Sequence, residues 1–454
     1  MNSVIFVSTL LAFIGTYFAI GIYASKKVHS TVDYFLAGKT AGFWGITFTL
    51  IGTQLGSGLL LGTAEKSYEY GFFGIAYTLS IAIGFLLLSL GFAAKLHELN
   101  VRTTAEVFLV RYNSPFLHKC ASLLSIVTLC GILMGQIVAS KGLLAGVLAG
   151  TNIPVWALYV ILWGSIIVYT FVGGLHAVIR ADTFRVLFIM VIFGGFFLFL
   201  LWTQPMAWFT TNALGTQKAL FPIAQEAIKS LVAILLMQAL FSLIEQDLAQ
   251  RFFAARTARI ATAAAVAAGT FIMLFAIIPV FLGMLAKVSA LSLFGANPLV
   301  ATLRAYSGDV FFALGICGIF AAVASTSDSL LCAISSNIAQ DFDFSFIKSL
   351  SNLKRAKIIT ALVGLSTVLV AYVIHKDIID ILIDSYEISV SALLVPLVFA
   401  YFQKQPKLLA AYVSAIAGFA SFLVFKWYPV NYSDIIVLGL SLVGYYVGQL
   451  LSKK

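Results

Sequence analysis

Thirteen continuously apolar runs, most of about 20 residues or more, separated by short polar turns, dominate this chain. The sixth is typical: from Val186 to Trp202 there is no charged and no hydroxyl-bearing side chain. Wound as an α-helix, about 20 residues match the roughly 30 Å hydrocarbon core of a bilayer. The runs cover 3–24, 41–63, 72–95, 118–148, 153–175, 180–202, 225–249, 258–287, 308–340, 356–375, 377–402, 406–426 and 433–451. None shows the period-two alternation of a barrel wall, so helices are predicted rather than strands. Composition agrees. Hydrophobic residues make up 61% of the chain, charged residues 10%, and mean hydropathy is +1.02, whereas a soluble fold carries roughly 25% charged residues. The predicted fold class is an all-α polytopic membrane protein.

The net charge of +10 does not point to nucleic acid, because no long basic run exists. Basic residues sit between apolar runs, among them Lys26, Lys27, Lys39, Lys95, Arg102, Arg180, Arg185, Arg251, Arg256, Lys348, Lys354, Lys453 and Lys454. These loops alternate with loops poor in Lys and Arg, the signature of the positive-inside rule. Lys66, Lys141, Lys218, Lys229, Lys287, Arg304, Lys376 and Lys426 fall outside or within a span. An inner-membrane protein with its N-terminus outside and its C-terminus in the cytoplasm is predicted. Residues 1–25 lack the basic start of a cleaved signal peptide and read as a retained first helix. Cys120, Cys130, Cys317 and Cys332 lie in or beside apolar segments without CxxC spacing and read as small packed residues. The five histidines are not at metal-ligand spacing, and no nucleophile–base pair is visible, so an enzyme is not predicted.

Function should show where lipid's rules are broken. In the second span, Gly52-Thr53-Gln54-Leu55-Gly56-Ser57-Gly58 and Gly62 invite unwinding. Unwound backbone is tolerated at membrane depth where it lines a cavity or is buried in protein, as in the broken helices of transporters. A packing face of small residues is the other reading. In the ninth span, Ala322, Ser325, Asp328, Ser329, Cys332 and Ser336 fall within about 120° of one another at about 100° per residue. Hydroxyls alone often serve packing. A carboxylate near the bilayer centre costs about 2.5–3.5 kcal/mol and needs a partner or a use, and such oxygens suit a hard cation.

Asp182, after Gly173-Gly174, is either a second such carboxylate or a helix-start charge beside Arg180 and Arg185. In the seventh span Gln238, Phe241 and Glu245 could line a cavity, while Asp247 and Arg251 read as an i, i+4 ion pair where the helix leaves the membrane. Asp384-Ser385-Tyr386-Glu387 opens the eleventh span as an extracellular mouth or part of a solute site.

Taken in order, Asp33-Tyr34-Phe35-Leu36-Ala37-Gly38-Lys39, the 52–62 break, Gly173-Gly174-Leu175 with Ala181-Asp182, Gln246-Asp247 with Gln250-Arg251-Phe252-Phe253-Ala254-Ala255, and Ser325-Thr326-Ser327-Asp328-Ser329 with Gln340-Asp341 resemble the sodium:solute symporter family. The resemblance runs over about residues 5–430. It implies a LeuT-type fold of two inverted five-helix repeats, 41–202 and 225–402, flanked by peripheral segments 1–40 and 403–454. It implies a sodium site made by the carbonyls of Gly52, Leu55 and Ala322 and the hydroxyls of Ser325 and Thr326. A second sodium, as in some members, would use Asp182, Ser325, Asp328 and Ser329, giving two ions per solute. Solute positions carried over are Gln54, Ser57, Gln238, Phe241 and Glu245. A small polar organic solute, imported with Na+ by alternating access, is the expected cargo. Proton coupling on the same fold and a non-transporting sensor are the alternatives.

Overall fold

The computed structural model describes residues 3–149, 151–204, 235–293, 297–343, 350–371, 378–428 and 430–452. Lys218, Lys229, Lys348, Lys376, Lys453, Lys454, the first part of the predicted span 225–249 and the Asp384 side chain lie outside these. Among the described residues the chain is helical throughout, and its one β-type contact is an isolated bridge between Ala41 and Ala255.

Helix α1 covers Ser3–Ser25 and α2 Phe43–Gln54. The second predicted span then loses its helix at Leu55 (φ −74°, ψ 40°), resumes through a widened turn at Gly58–Gly62, and continues as α3, Thr63–Tyr70. A left-handed Gly71 (φ +62°) turns the chain toward α4, Ala76–Leu87. Helix α5 is Pro115–Leu148 and α6 is Val155–Ile189, which runs on through another widened turn to Thr203. Further on come α7 (Gln246–Ala254), α8 (Ala258–Phe275), α9 (Ile277–Val288), α10 (Asp309–Asp341), α11 (Asn352–Ala371), α12 (Ile378–Phe402), α13 (Leu408–Trp427) and α14 (Ser433–Leu451).

The fifth and sixth predicted spans were expected to be separated by a loop; instead α6 is a hairpin without one. Gly174 alone reverses it, at φ +51° and ψ −151°, a conformation open to glycine. Helix α1 lies against both legs: Tyr17 meets Tyr169 before the corner and Arg185 after it, and Phe13 packs on Phe184 and Phe188. A Cβ on Gly174 would stand 2.4 Å from the Tyr34 carbonyl oxygen. Helix direction can therefore turn where the Asp33–Lys39 segment packs against it.

Helix α10 is the axis of the molecule. It is buried without interruption from Gly315 to Asn337. Its Gly, Ala, Ser and Cys side chains let neighbouring backbones approach closely, the means by which membrane helices pack when hydrophobicity offers no preference over lipid. Helices α1, α2, α5, α6, α7 and α11 contact it. The last two helices behave oppositely: they pair with one another and leave Trp427, Val443 and Leu450 exposed, as a lipid-facing rim would be.

Candidate functional site

Two helix interruptions face each other beside α10. The first is the expected one at Leu55–Ser57. Its glycines are where the second and ninth spans touch: a Cβ on Gly52 would lie 2.5 Å from Ser325 Oγ, and one on Gly56 would lie 2.7 Å from Thr326 Oγ1. Thr326 Oγ1 donates to the Thr53 carbonyl at 2.8 Å and lies 3.5 Å from that of Gly52. Gln136 of α5 closes the gap, its Oε1 accepting from the Ser57 amide at 2.8 Å. Neither the Thr53 carbonyl nor Gln136 was anticipated from sequence. Leu55 and Ala322 are fully buried on the two facing elements.

Asp182 is wholly buried rather than interfacial. Ser325 Oγ donates to its Oδ1 and Thr49 Oγ1 to its Oδ2, each at 2.5 Å. Ser325 thus turns toward Asp182, while Thr326 alone reaches the second-span carbonyls. Arg185, expected with the cytoplasmic loop charges, is also fully buried. Its Nη1 donates to Asp328 Oδ2 at 2.6 Å and lies 3.6 Å from Asp182 Oδ1, with Tyr17 and Tyr169 rings 4.8 and 5.3 Å from the guanidinium. The reason is the missing loop. Because helix resumes directly after Gly174, Arg185 stands 11 residues beyond the corner, about 16 Å along the helix at 1.5 Å per residue. Arg180 remains outside this cluster, over the Tyr23 ring.

The second interruption was not foreseen. The seventh span was expected to be one helix, 225–249; helix instead ends at 241, residues 242–244 turn, Glu245 is extended (φ −66°, ψ 119°), and α7 starts at Gln246. There is no Gly or Pro between 235 and 254 to signal it. Tertiary hydrogen bonds hold it open. Gln54 Nε2 donates to both Glu245 oxygens at 3.1 Å, Gln238 Nε2 donates to Gln54 Oε1 at 3.4 Å, and Gln246 Oε1 accepts from the Thr104 amide and hydroxyl at 2.6 Å. Phe241 stacks on Tyr386 at 4.8 Å, and the Tyr386 and Tyr77 hydroxyls are 3.0 Å apart. Gln54, Gln238, Phe241 and Glu245 therefore come together, with Tyr77 as an added neighbour, while Ser57 faces Gln136.

The Asp247–Arg251 ion pair expected where the helix leaves the membrane is not formed. Arg251 is fully buried, donates through Nη1 to the Asp247 main-chain carbonyl at 2.8 Å and through Nη2 to Ser329 Oγ, which also bonds Thr53. No basic, amide or hydroxyl side chain donates to either Asp247 carboxylate oxygen.

The model of the sodium:solute symporter family matches residues 34–418. The chain belongs to that family. Among relatives of this chain, the sodium/pantothenate symporter of Escherichia coli is 27% identical over 224 residues, 47% of this chain and 44% of that protein. The sodium/glucose cotransporter of Vibrio parahaemolyticus is 28% identical over 173 residues, 37% and 30% respectively. These alignments thus span less than half the length of either relative. An uncharacterized symporter of Bacillus subtilis, YwcA, matches at 24% identity over 91% of this chain and 84% of its own. In fold, the chain resembles a substrate-bound, outward-open Na+-coupled sialic acid symporter with a TM-score of 0.81 at 18% identity, over 98% of this chain and 97% of the other. It also resembles MhsT with L-phenylalanine, TM-score 0.55 at 14% identity, over 90% and 98%. The fold is LeuT-type, and family and fold are those of multi-pass membrane transporters.

Proposed function

We propose that this chain is a sodium-coupled symporter that imports a small polar organic solute across the inner membrane by alternating access. The carrying observation is the contact of the broken second span with α10, where Thr326 Oγ1 meets the Thr53 and Gly52 carbonyls. Freed carbonyls beside fixed hydroxyls are hard oxygen donors suited to a small monovalent cation. Gly52, Leu55, Ala322, Ser325 and Thr326 would hold the first sodium. The division into repeats 41–202 and 225–402, with 1–40 and 403–454 peripheral, belongs to the same reading, as do an outside N-terminus and a cytoplasmic C-terminus.

A second sodium beside Asp182, Ser325, Asp328 and Ser329 is supported by charge. Asp182 and Asp328 carry two negative charges when ionised, and Arg185 supplies one positive charge. Burial of an uncompensated charge is costly, and a sodium ion would add to the charge of Arg251, whose Nη2 donates to Ser329 at the edge of the group. Solute would bind at Gln54, Ser57, Gln238, Phe241 and Glu245.

The test is uptake from radiolabelled solute pools into proteoliposomes at fixed pH, with and without an inward sodium gradient. Accumulation that requires sodium is expected. Accumulation that follows a proton gradient and ignores sodium would replace the coupling ion, and none from any pool would point to the sensor alternative.

A further inference from the structure

Besides the Asp182–Arg185–Asp328 group, a second group of buried ionisable side chains is built in the same way: Glu245, Asp247 and Arg251, two acids and one base. All three are buried, at 4, 1 and 0% exposure. The two carboxyls lie within hydrogen-bonding reach of each other. Arg251 is close but spends its Nη donors on the Asp247 main-chain carbonyl and on Ser329. Among the described residues neither carboxylate has an ion pair with a Lys, Arg or His side chain. Two neighbouring carboxylates in a water-poor site repel unless they share a proton or a positive charge joins them.

The atoms left free around them include two donors, Arg251 Nε and Gln250 Nε2, but acceptors are the more numerous. Gln238 Oε1 is unpartnered at 2% exposure, on the side chain that bonds Gln54, which in turn bonds Glu245. No basic, amide or hydroxyl side chain donates to either Asp247 oxygen. A solute that satisfies them must donate, and an ammonium donates three hydrogen bonds with full charge. The flanking Phe241, Tyr386 and Tyr77 rings suit the same group, because aromatic faces attract cations. An anion is disfavoured twice. It would meet the two carboxylates, and the amino-terminal end of α7, ordinarily attractive to anions, carries Glu245 and Asp247 of its own.

Resting on the symport reading above, we propose that the transported solute carries a protonated amine, seated against Glu245 and Asp247 beside the Phe241–Tyr386–Tyr77 rings. The cargo is an amino acid or a small amine, not a sugar and not an amine-free carboxylate.

Thermal melting of the purified full chain in NaCl tests this with three sets of probes: free amino acids and small amines, sugars and polyols, and carboxylates without an amine, including pantothenate. Stabilisation by the amine set is expected. N-acetylation of the amine probe that shifts the protein should weaken its binding by at least tenfold, and so should Glu245→Gln, about 1.4 kcal/mol or more. The shift of Glu245→Gln by NaCl alone reports that the variant folds. A response to sugars or amine-free acids, or no response to any amine by protein that NaCl stabilises, overturns the assignment. So does undiminished amine affinity in Glu245→Gln. If amines stabilise the protein but NaCl does not, the amine site stands and the sodium reading fails.

Discussion

Thr326 and Arg185 illustrate how differently two buried polar side chains behave in one core. Thr326 Oγ1 donates to a carbonyl freed by a helix break, so its removal affects ion binding more than folding. Thr326→Ala should raise the sodium concentration for half-maximal uptake by about tenfold, the worth of one lost oxygen contact of roughly 1.4 kcal/mol, while Thr326→Ser retains most of the affinity. Sodium titration of uptake at normal expression checks this. Equal titrations for the alanine variant and the parent would remove Thr326 from the site. Arg185 has the opposite profile. Its removal strands Asp182 and Asp328 as neighbouring buried carboxylates, and breaking such a group costs about 3–5 kcal/mol. Arg185→Met should therefore melt markedly lower in detergent than the parent. Arg185→Lys recovers only part, since an ammonium lacks the planar fork and the ring stacking on Tyr17 and Tyr169. A melting point equal to the parent in Arg185→Met would mean that the charges are compensated elsewhere.

Glycine decides the path of the helices at two places, and the two substitutions separate corner from contact. Gly174→Ala meets both a left-handed φ and the Tyr34 carbonyl, so it should abolish accumulation of folded protein. Gly52→Ala keeps an ordinary helical position but pushes Ser325 and Asp182 away. It should fold, with sodium affinity impaired. Gly164→Ala, with open space around it, is the matched control. Fluorescence size-exclusion profiles and sodium titrations distinguish the three. Much of this was legible in sequence: the runs of apolar residues mark the helices, and the cluster from Gly52 to Gly62 marks the first break because its composition resists helix locally. The second break was illegible because nothing local causes it. Residues 242–245 unwind while Glu245 and Gln246 bond Gln54 and Thr104, partners that come from distant parts of the chain. Arg185 was misplaced for a related reason, since a one-residue corner leaves no loop for a basic residue to occupy.

For the molecule as a whole, coupling is a question of how many charges travel. One charge crossing 100 mV is worth about 2.3 kcal/mol, and about 1.4 kcal/mol is tenfold in concentration. Membrane potential alone then supports roughly 40-fold accumulation of a neutral solute with one sodium, and over a thousandfold with two. The proposed second sodium predicts a Hill coefficient near two, falling toward one in Asp182→Asn. A one-to-one flux ratio in the parent would leave Asp182 as the partner of Arg185 and nothing more. The bridge between Ala41 and Ala255 bears on how such ions move solute. The Ala41 amide donates to the Ala254 carbonyl, and the Arg256 amide donates to the Ala41 carbonyl, so the start of α2 is tied to the end of α7. At their other ends the same two elements are joined by Gln54 and Glu245. One half of each broken span is thus fastened to the other at both ends. Two rods joined in that way would swing as one body, so that an ion seated at the first break would carry the second with it.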